Sequence, residues 1–191
     1  ERLSIEQWST INHCIEEFQK DCHKAITYLD FSSALAIDAL KRASNSLAAI
    51  TGAQTDRMTR DDGWQLLSIG RHIERLSFLT TVLDSAIRMG LLYNPNTDSS
   101  GYTALLNLFD RTITFQAQHQ QSREIAPLVS LLVLDDENPR SLAWVSKALR
   151  ARLSKLAGTE RNNPDELTRS VANPQEYDLY NLSCTDAFGN F

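Results

Sequence analysis

The sequence is short of the features that mark catalysis or metal chemistry. It has no glycine-rich phosphate loop, no G-x-S-x-G and no H-E-x-x-H. A di-iron bundle takes Glu-x-x-His pairs from two helices. None of His13, His23, His72 or His119 has a Glu three residues before it. His13, Glu16 and Glu17 share a helix face and could touch a metal, but a lone group of that kind is ordinarily a solvated patch. Cys14, Cys22 and His23 lack zinc-site spacing. No activated nucleophile is visible. The expectation is therefore no metal and no cofactor.

Other scarcities bound the class. Three cysteines, Cys14, Cys22 and Cys184, make an odd count without a framework spacing, which fits a reducing compartment and a cytoplasmic protein. They read as small buried apolar residues. The apolar runs fall short of the ~20 residues a spanning helix needs, so no membrane is expected as a partner. The start, ERLSIEQW, has neither a basic nor an apolar leader region and no initiator Met, so the chain reads as a piece of something longer. Lys and Arg number 19 against 24 Asp and Glu, and the net charge of −5 argues against a general nucleic-acid binder. No sustained period-2 alternation is present, so essentially no sheet is expected.

What is present is helical periodicity, over 191 residues of which 42% are hydrophobic. The spacing predicts helices over 4–23, 31–53, 61–90, 102–121, 124–134 and 140–157. The fold class is all-α, a bundle of about six helices around a long central helix near 61–90. Ser4 and Gln7 form a capping box, Asp30 or Ser32 opens the second helix and Gly52 ends it. The fourth helix has Leu105, Leu106, Phe109 and Ile113 as core residues. LVSLLVL, in the next segment, lacks a polar face and implies burial. Asn138 or Ser141 opens the last long helix. The bundle covers 1–158. Residues 159–191 hold one short helix near 164–171 and an irregular tail, whose Tyr177, Tyr180, Phe188 and Phe191 pack on the bundle or on a neighbouring chain, or belong to a disordered end.

The stretch 58–92, MTRDDGWQLLSIGRHIERLSFLTTVLDSAIRMGLL, organises the rest. Asp61 or Asp62 caps it and Gly90 ends it. Leu66, Ile69, Ile73, Leu76, Leu83 and Ile87 form one apolar face. A second stripe runs from Trp64 and Leu67 to Phe78 and Val82, interrupted by Arg71, Glu74 and Arg75. Charges inside an apolar row point to a helix contacted on two sides, and buried charge needs partners. Asp110, Arg111 and Arg140 are candidates to join the seam, with Glu74 accepting a bidentate bond from one arginine. The alternatives are a network that sets helix register, arginines that snorkel at a helix edge, and an anion-binding pocket.

M-T-R-D-D-G-W followed by L-x-x-G-R-H-I-E-R resembles the signature of the alpha-E domain family, a bacterial all-helical family named for a Glu-Arg motif, here Glu74–Arg75. The block LLVLDDENPRSL at 131–142 resembles that family's Pro-Arg-Ser element. On this resemblance Arg60, Asp61, Trp64, Arg71, Glu74, Arg75, Arg140 and Ser141 stand at motif positions, as do Met58, Gly70 and Pro139. The resemblance implies a circularly permuted ATP-grasp amide ligase as partner, fused or in trans, and a role in making or modifying a peptide-like product. It also implies an earlier helical segment with its own Gly-Arg-x-x-Glu-Arg motif, before the point where this chain starts. Charges left unmatched by its absence would be exposed or covered by a homo-oligomer partner. Gln116, Gln118 and His119 stand where the family tends to carry basic residues.

Two functions follow. The favoured one is a non-catalytic accessory or scaffolding domain for the ligase. The alternative is an Arg/Glu pocket that contributes to amide-bond chemistry, with Glu74 as acid/base and Arg71, Arg75 and Arg140 as oxyanion clamps. An open pocket lined by arginines would favour binding or chemistry over structure.

Overall fold

Ser4 opens the first helix through a reciprocal pair of bonds. Its hydroxyl accepts from the Gln7 amide at 3.1 Å, and the Gln7 side chain accepts from the Ser4 amide at 3.2 Å. Helix α1 then runs Ile5–Ala25. The computed structural model describes residues 3–27, 30–91, 100–120, 124–158 and 164–179. Its described residues contain eight α-helices, so the class is all-α. A single two-residue antiparallel ladder, β1 Ile26–Thr27 with β2 Asp30–Phe31, is the whole of the sheet among them.

The chain divides into two compact units, Glu1–Trp64 and Gln65–Phe191. The first is a helical hairpin of α1 and α2, Ser33–Arg57. Ser32 caps α2 by accepting from the Leu35 amide. Ala25 and Ala39 are buried in the hairpin, where small side chains let two helices approach closely. Asp21 is buried there too, and accepts from Arg42 Nε at 2.7 Å and Lys24 Nζ at 3.2 Å. These bonds, Arg42 first, hold its carboxyl below the usual range against the opposing effect of burial. Gly52 does not end α2 as expected. The helix continues to Arg57, through the buried Gln54, because an exposed glycine weakens a helix without breaking it. Cys14 and Cys22 are free and half-buried; Cys184 lies outside the described residues.

The second unit is built on α3 (Asp62–Arg88) from Gln65 onward, α4 Ser100–Leu108, α5 Thr112–His119, α6 Ile125–Val129, a π-helical turn Ser130–Leu134, α7 Leu142–Ala157 and α8 Pro164–Arg169. α3 ends where the Gly90 and Leu91 amides bond to the carbonyls of Ile87 and Ala86, with Gly90 at φ 66°. Leu79, Tyr102, Leu106, Phe109, Phe115, Leu128, Leu132 and Val145 belong to one core. The run around Leu131 and Leu132 is buried or half-buried throughout, as its lack of a polar face predicts.

Three expectations are corrected here. The helix predicted over 102–121 is two helices, broken at Phe109–Arg111, so the described residues hold eight α-helices where the spacing predicts six and a short one near 164–171. On one continuous helix Phe109 and Phe115 would stand roughly 240° apart, yet both are buried. The break turns both into the core and sends Ile113 out to 84% exposure. The apolar face assigned to α3 is displaced. Leu66 and Ile73 are exposed, as is Phe78, while Ser68, Ile69, Leu79 and Ala86 are buried. The covered face centres between the two stripes of the sequence. The polar stretch YNPNTDSSG at 93–101 reads as a loop by composition, but Ser100 and Gly101 form the first turn of α4. Residues 93–99 of that stretch lie outside the described residues, as do Tyr180, Phe188 and Phe191, whereas Tyr177 is exposed.

Candidate functional site

Arg75 comes from α3. Successive helical residues point roughly 100° apart, so Glu74 and Arg75 cannot serve the same face. Arg75 stands at the edge of the covered face, beside Phe78 and Leu79. Glu74 points further round and is exposed. Among the described residues no arginine nitrogen pairs with Glu74, so the expected bidentate bond is not formed. Arg71 is half-buried one turn before Arg75. Burial first, and then the Arg75 charge, hold its guanidinium below the usual arginine range. Gly70 is exposed, and a Cβ there would meet nothing within 4 Å.

Arg111 is placed by the break between α4 and α5. The Asp110 and Arg111 amides bond to the carbonyls of Asn107 and Leu106 at 3.0 and 2.8 Å, and Asp110 sits at φ 54°. That is a helix end of the Schellman type with an aspartate where glycine is usual. The Arg111 carbonyl then accepts from the Phe115 amide at 2.8 Å, opening α5. Its Nε is buried and has no hydrogen-bond partner among the described residues.

Arg140 is held out by a buried latch behind it. Ser141 is fully buried, caps α7 by accepting from the Trp144 amide at 3.0 Å, and donates its hydroxyl hydrogen to the Asp135 carbonyl. Asn138, also buried, donates to the Leu131 carbonyl at 2.8 Å and accepts from the Arg140 amide at 3.0 Å. Lys147 anchors the same loop through Asp136 at 2.6 Å, which lowers the Asp136 carboxyl. With its backbone fixed, the loop presents Pro139 and Arg140 outward. The sequence marks Asn138 only as a candidate helix opener; its place just before Pro-Arg-Ser is the signal for the latch.

These three arginines meet. Arg75, Arg111 and Arg140, with Phe78, Leu79, Leu108, Phe109 and Pro139, line one cavity of about 500 Å³ within the second unit. Among the described residues the lining holds no carboxylate and no histidine. Asp110 stands beside it, 3.6 Å from Arg140 Nη2. Guanidinium groups stay charged at every physiological pH and present planar forks of donors. The arrangement can hold an anion against an apolar wall, and the described residues of its lining supply no group suited to general acid–base work.

The other residues singled out in the sequence lie apart from this cavity. Arg60, Asp61 and Trp64 belong to the first unit. Asp61 accepts from the Trp64 amide at 3.0 Å, and the Arg60 guanidinium lies 4.1 Å over the Trp64 ring while donating to the Thr55 carbonyl. His72 stacks on Trp144 with ring centroids 6.1 Å apart. The first unit has a cavity of its own, about 370 Å³, lined in part by His13, Cys14, Glu17, Asp21 and Arg42. Among the described residues no three His, Cys, Asp or Glu side chains are grouped to hold a metal. No helix among them is long and apolar enough to cross a membrane.

The profile of a family described as "a predicted alpha-helical domain with a conserved ER motif" matches residues 1–184. Glu-Arg occurs in this chain at 1–2, 74–75 and 160–161, and only the pair at 74–75 falls among the described residues. Among curated proteins the chain is 24% identical over 168 residues to the uncharacterized proteins Rv2567 of Mycobacterium tuberculosis and Mb2597 of Mycobacterium bovis. The match covers 87% of this chain but 18% of each relative, so the chain spans about a fifth of their length. No solved structure matches it.

Proposed function

The chain belongs to the Alpha-E family, and from that premise we propose that it is an accessory helical domain that holds an anionic group for a partner enzyme. The observation that carries this is the meeting of Arg75, Arg111 and Arg140 around one cavity that has no acidic side chain among the described residues of its lining. Pockets of this size suit a small molecule or the end of a chain. The partner, from the resemblance of the motifs to those of the family, is a circularly permuted ATP-grasp amide ligase, fused or in trans, that makes or modifies a peptide-like product in the cytoplasm. The anion would be a charged group of the substrate or product. Glu74 has no part in holding it; its exposed carboxylate is available to the partner.

The test is ATP turnover by the ligase with and without this domain, using the wild-type chain and Arg75→Gln, both confirmed folded by circular dichroism. Stimulation that is lost in Arg75→Gln supports the proposal. Equal stimulation by both forms leaves a scaffold in which the pocket is idle, and overturns it.

A further inference from the structure

We infer that the Arg75–Arg111–Arg140 cavity takes a phosphomonoester dianion borne on an apolar or aromatic group, in preference to a carboxylate. The inference rests on the anion-binding reading and gives its ligand class.

The first argument is shape. The three arginines arrive from three separate segments, α3, the α4–α5 break and the loop before α7. A phosphomonoester offers three terminal oxygens in a tetrahedral array, one to each incoming guanidinium. A carboxylate offers two in one plane and is satisfied by a single bidentate arginine. The second argument is charge. Among the described residues three guanidinium groups line the cavity and one carboxylate, Asp110, pairs at its edge, which leaves a local excess of two positive charges. A phosphomonoester carries about −1.5 to −2 near pH 7; a monocarboxylate would leave part of the excess unbalanced. The third is the buried Arg111 Nε. A buried donor without a partner is costly; the atom is itself closed to solvent, so an oxyanion in the cavity becomes its acceptor through a small shift of the Arg111 side chain. The fourth is the wall. Phe78 and Leu108, both exposed, present a ring and a branched chain beside the arginines, backed by the buried Phe109, a surface on which inorganic phosphate gains nothing and an aromatic ester buries its ring.

The experiment is isothermal titration of the full 191-residue chain at low salt with three probes: phenyl phosphate, inorganic phosphate and benzoate. Phenyl phosphate is expected to bind at least tenfold more tightly than benzoate, and more tightly than inorganic phosphate. Its affinity should fall roughly tenfold from pH 7.5 to pH 5 as the dianion takes up a proton. Arg75→Gln, at an exposed position, should weaken it at least tenfold without loss of helix. Arg111→Lys keeps the charge but removes Nε, and should weaken phenyl phosphate more than benzoate. If Arg111→Lys does not fold, Arg140→Gln takes its place as the second variant, with the same weakening expected. Benzoate binding as tightly as phenyl phosphate, with both lost in Arg75→Gln, would overturn the ligand class and leave the anion pocket standing. Absence of binding by all three, or binding unaffected by Arg75→Gln, would overturn the pocket itself.

Discussion

Arg140 Nη2 lies 3.6 Å from a carboxylate oxygen of Asp110, and both side chains are well exposed, at 49% and 82%. An exposed pair of this kind contributes little to stability. Its consequence is for binding: Asp110 occupies a donor of Arg140 that an incoming anion would need. Asp110→Asn retains a side chain that tolerates the left-handed backbone at this position and removes the competing charge. Affinity for an anion in the cavity should rise, by roughly two- to fivefold at low salt, as read by calorimetric titration. Unchanged or weaker binding would show that the pair assists the site rather than competing with its ligand.

Glu74 and Arg75 are neighbours in sequence with separate surroundings. Glu74→Gln should leave unfolding in urea unchanged to within about 0.5 kcal/mol, as for a surface position without partners, and leave anion affinity nearly unchanged. A large loss of stability would mean that Glu74 is engaged in a contact its exposed position does not predict.

The latch behind Arg140 carries real stability. Ser141→Ala removes a helix cap and leaves the part-buried Asp135 carbonyl without its donor, and should cost about 1–3 kcal/mol. Asn138→Ala strands the Leu131 carbonyl and should cost a similar amount, about 1–3 kcal/mol. Both should also weaken anion binding, because Arg140 loses its fixed backbone. Urea unfolding and titration on the same variants check the two effects together; intact affinity in a destabilised Asn138→Ala would separate latch from site.

Two glycines should respond oppositely to alanine. At Gly101 a Cβ would stand 2.8 Å from both Cβ and the carbonyl oxygen of Leu91, so Gly101→Ala should destabilise by about 1–3 kcal/mol through overpacking. At Gly70 the space is open, and Gly70→Ala should be neutral or stabilise by up to about 1 kcal/mol, the helix-propensity gain. A marked loss of ligase stimulation by a stable Gly70→Ala would show that a partner approaches α3 closely at this point.

Asp21 links the first unit to pH. Its folded-state pKa is lowered, chiefly by the Arg42 hydrogen bond. The stability it lends is therefore present above the unfolded carboxylate value and is lost as pH falls through the lower folded value. Thermal melts should show an acid limb below about pH 4 that flattens in Asp21→Asn. An acid limb of the same steepness in that variant would assign it to other carboxylates.

The helix ends were legible to the extent that they depend on near neighbours in sequence. Ser4–Gln7, Ser32 and Gly90 did what their spacing predicts, because a cap is satisfied within a few residues. Gly52 misled because an exposed glycine inside a long helix carries the same signal as a terminator. The break at Asp110 was hidden, since an aspartate in a left-handed conformation lacks the glycine that usually marks such an end, and Leu105, Phe109 and Ile113 fall on one apparent stripe.

By itself the sequence determined that the protein is helical, where most of its helices begin and to which family it belongs. It also supplied the short list from which the site is drawn. Only the tertiary structure decided that Arg75, Arg111 and Arg140 share a cavity, that Glu74 stands outside it, and that Asn138 and Ser141 work behind it. The reason is range. Caps and stripes are set by bonds between residues a turn apart. The meeting of three distant arginines depends on burying Phe109 and Phe115 in one core, which forces the break that places Arg111 and which no local spacing encodes.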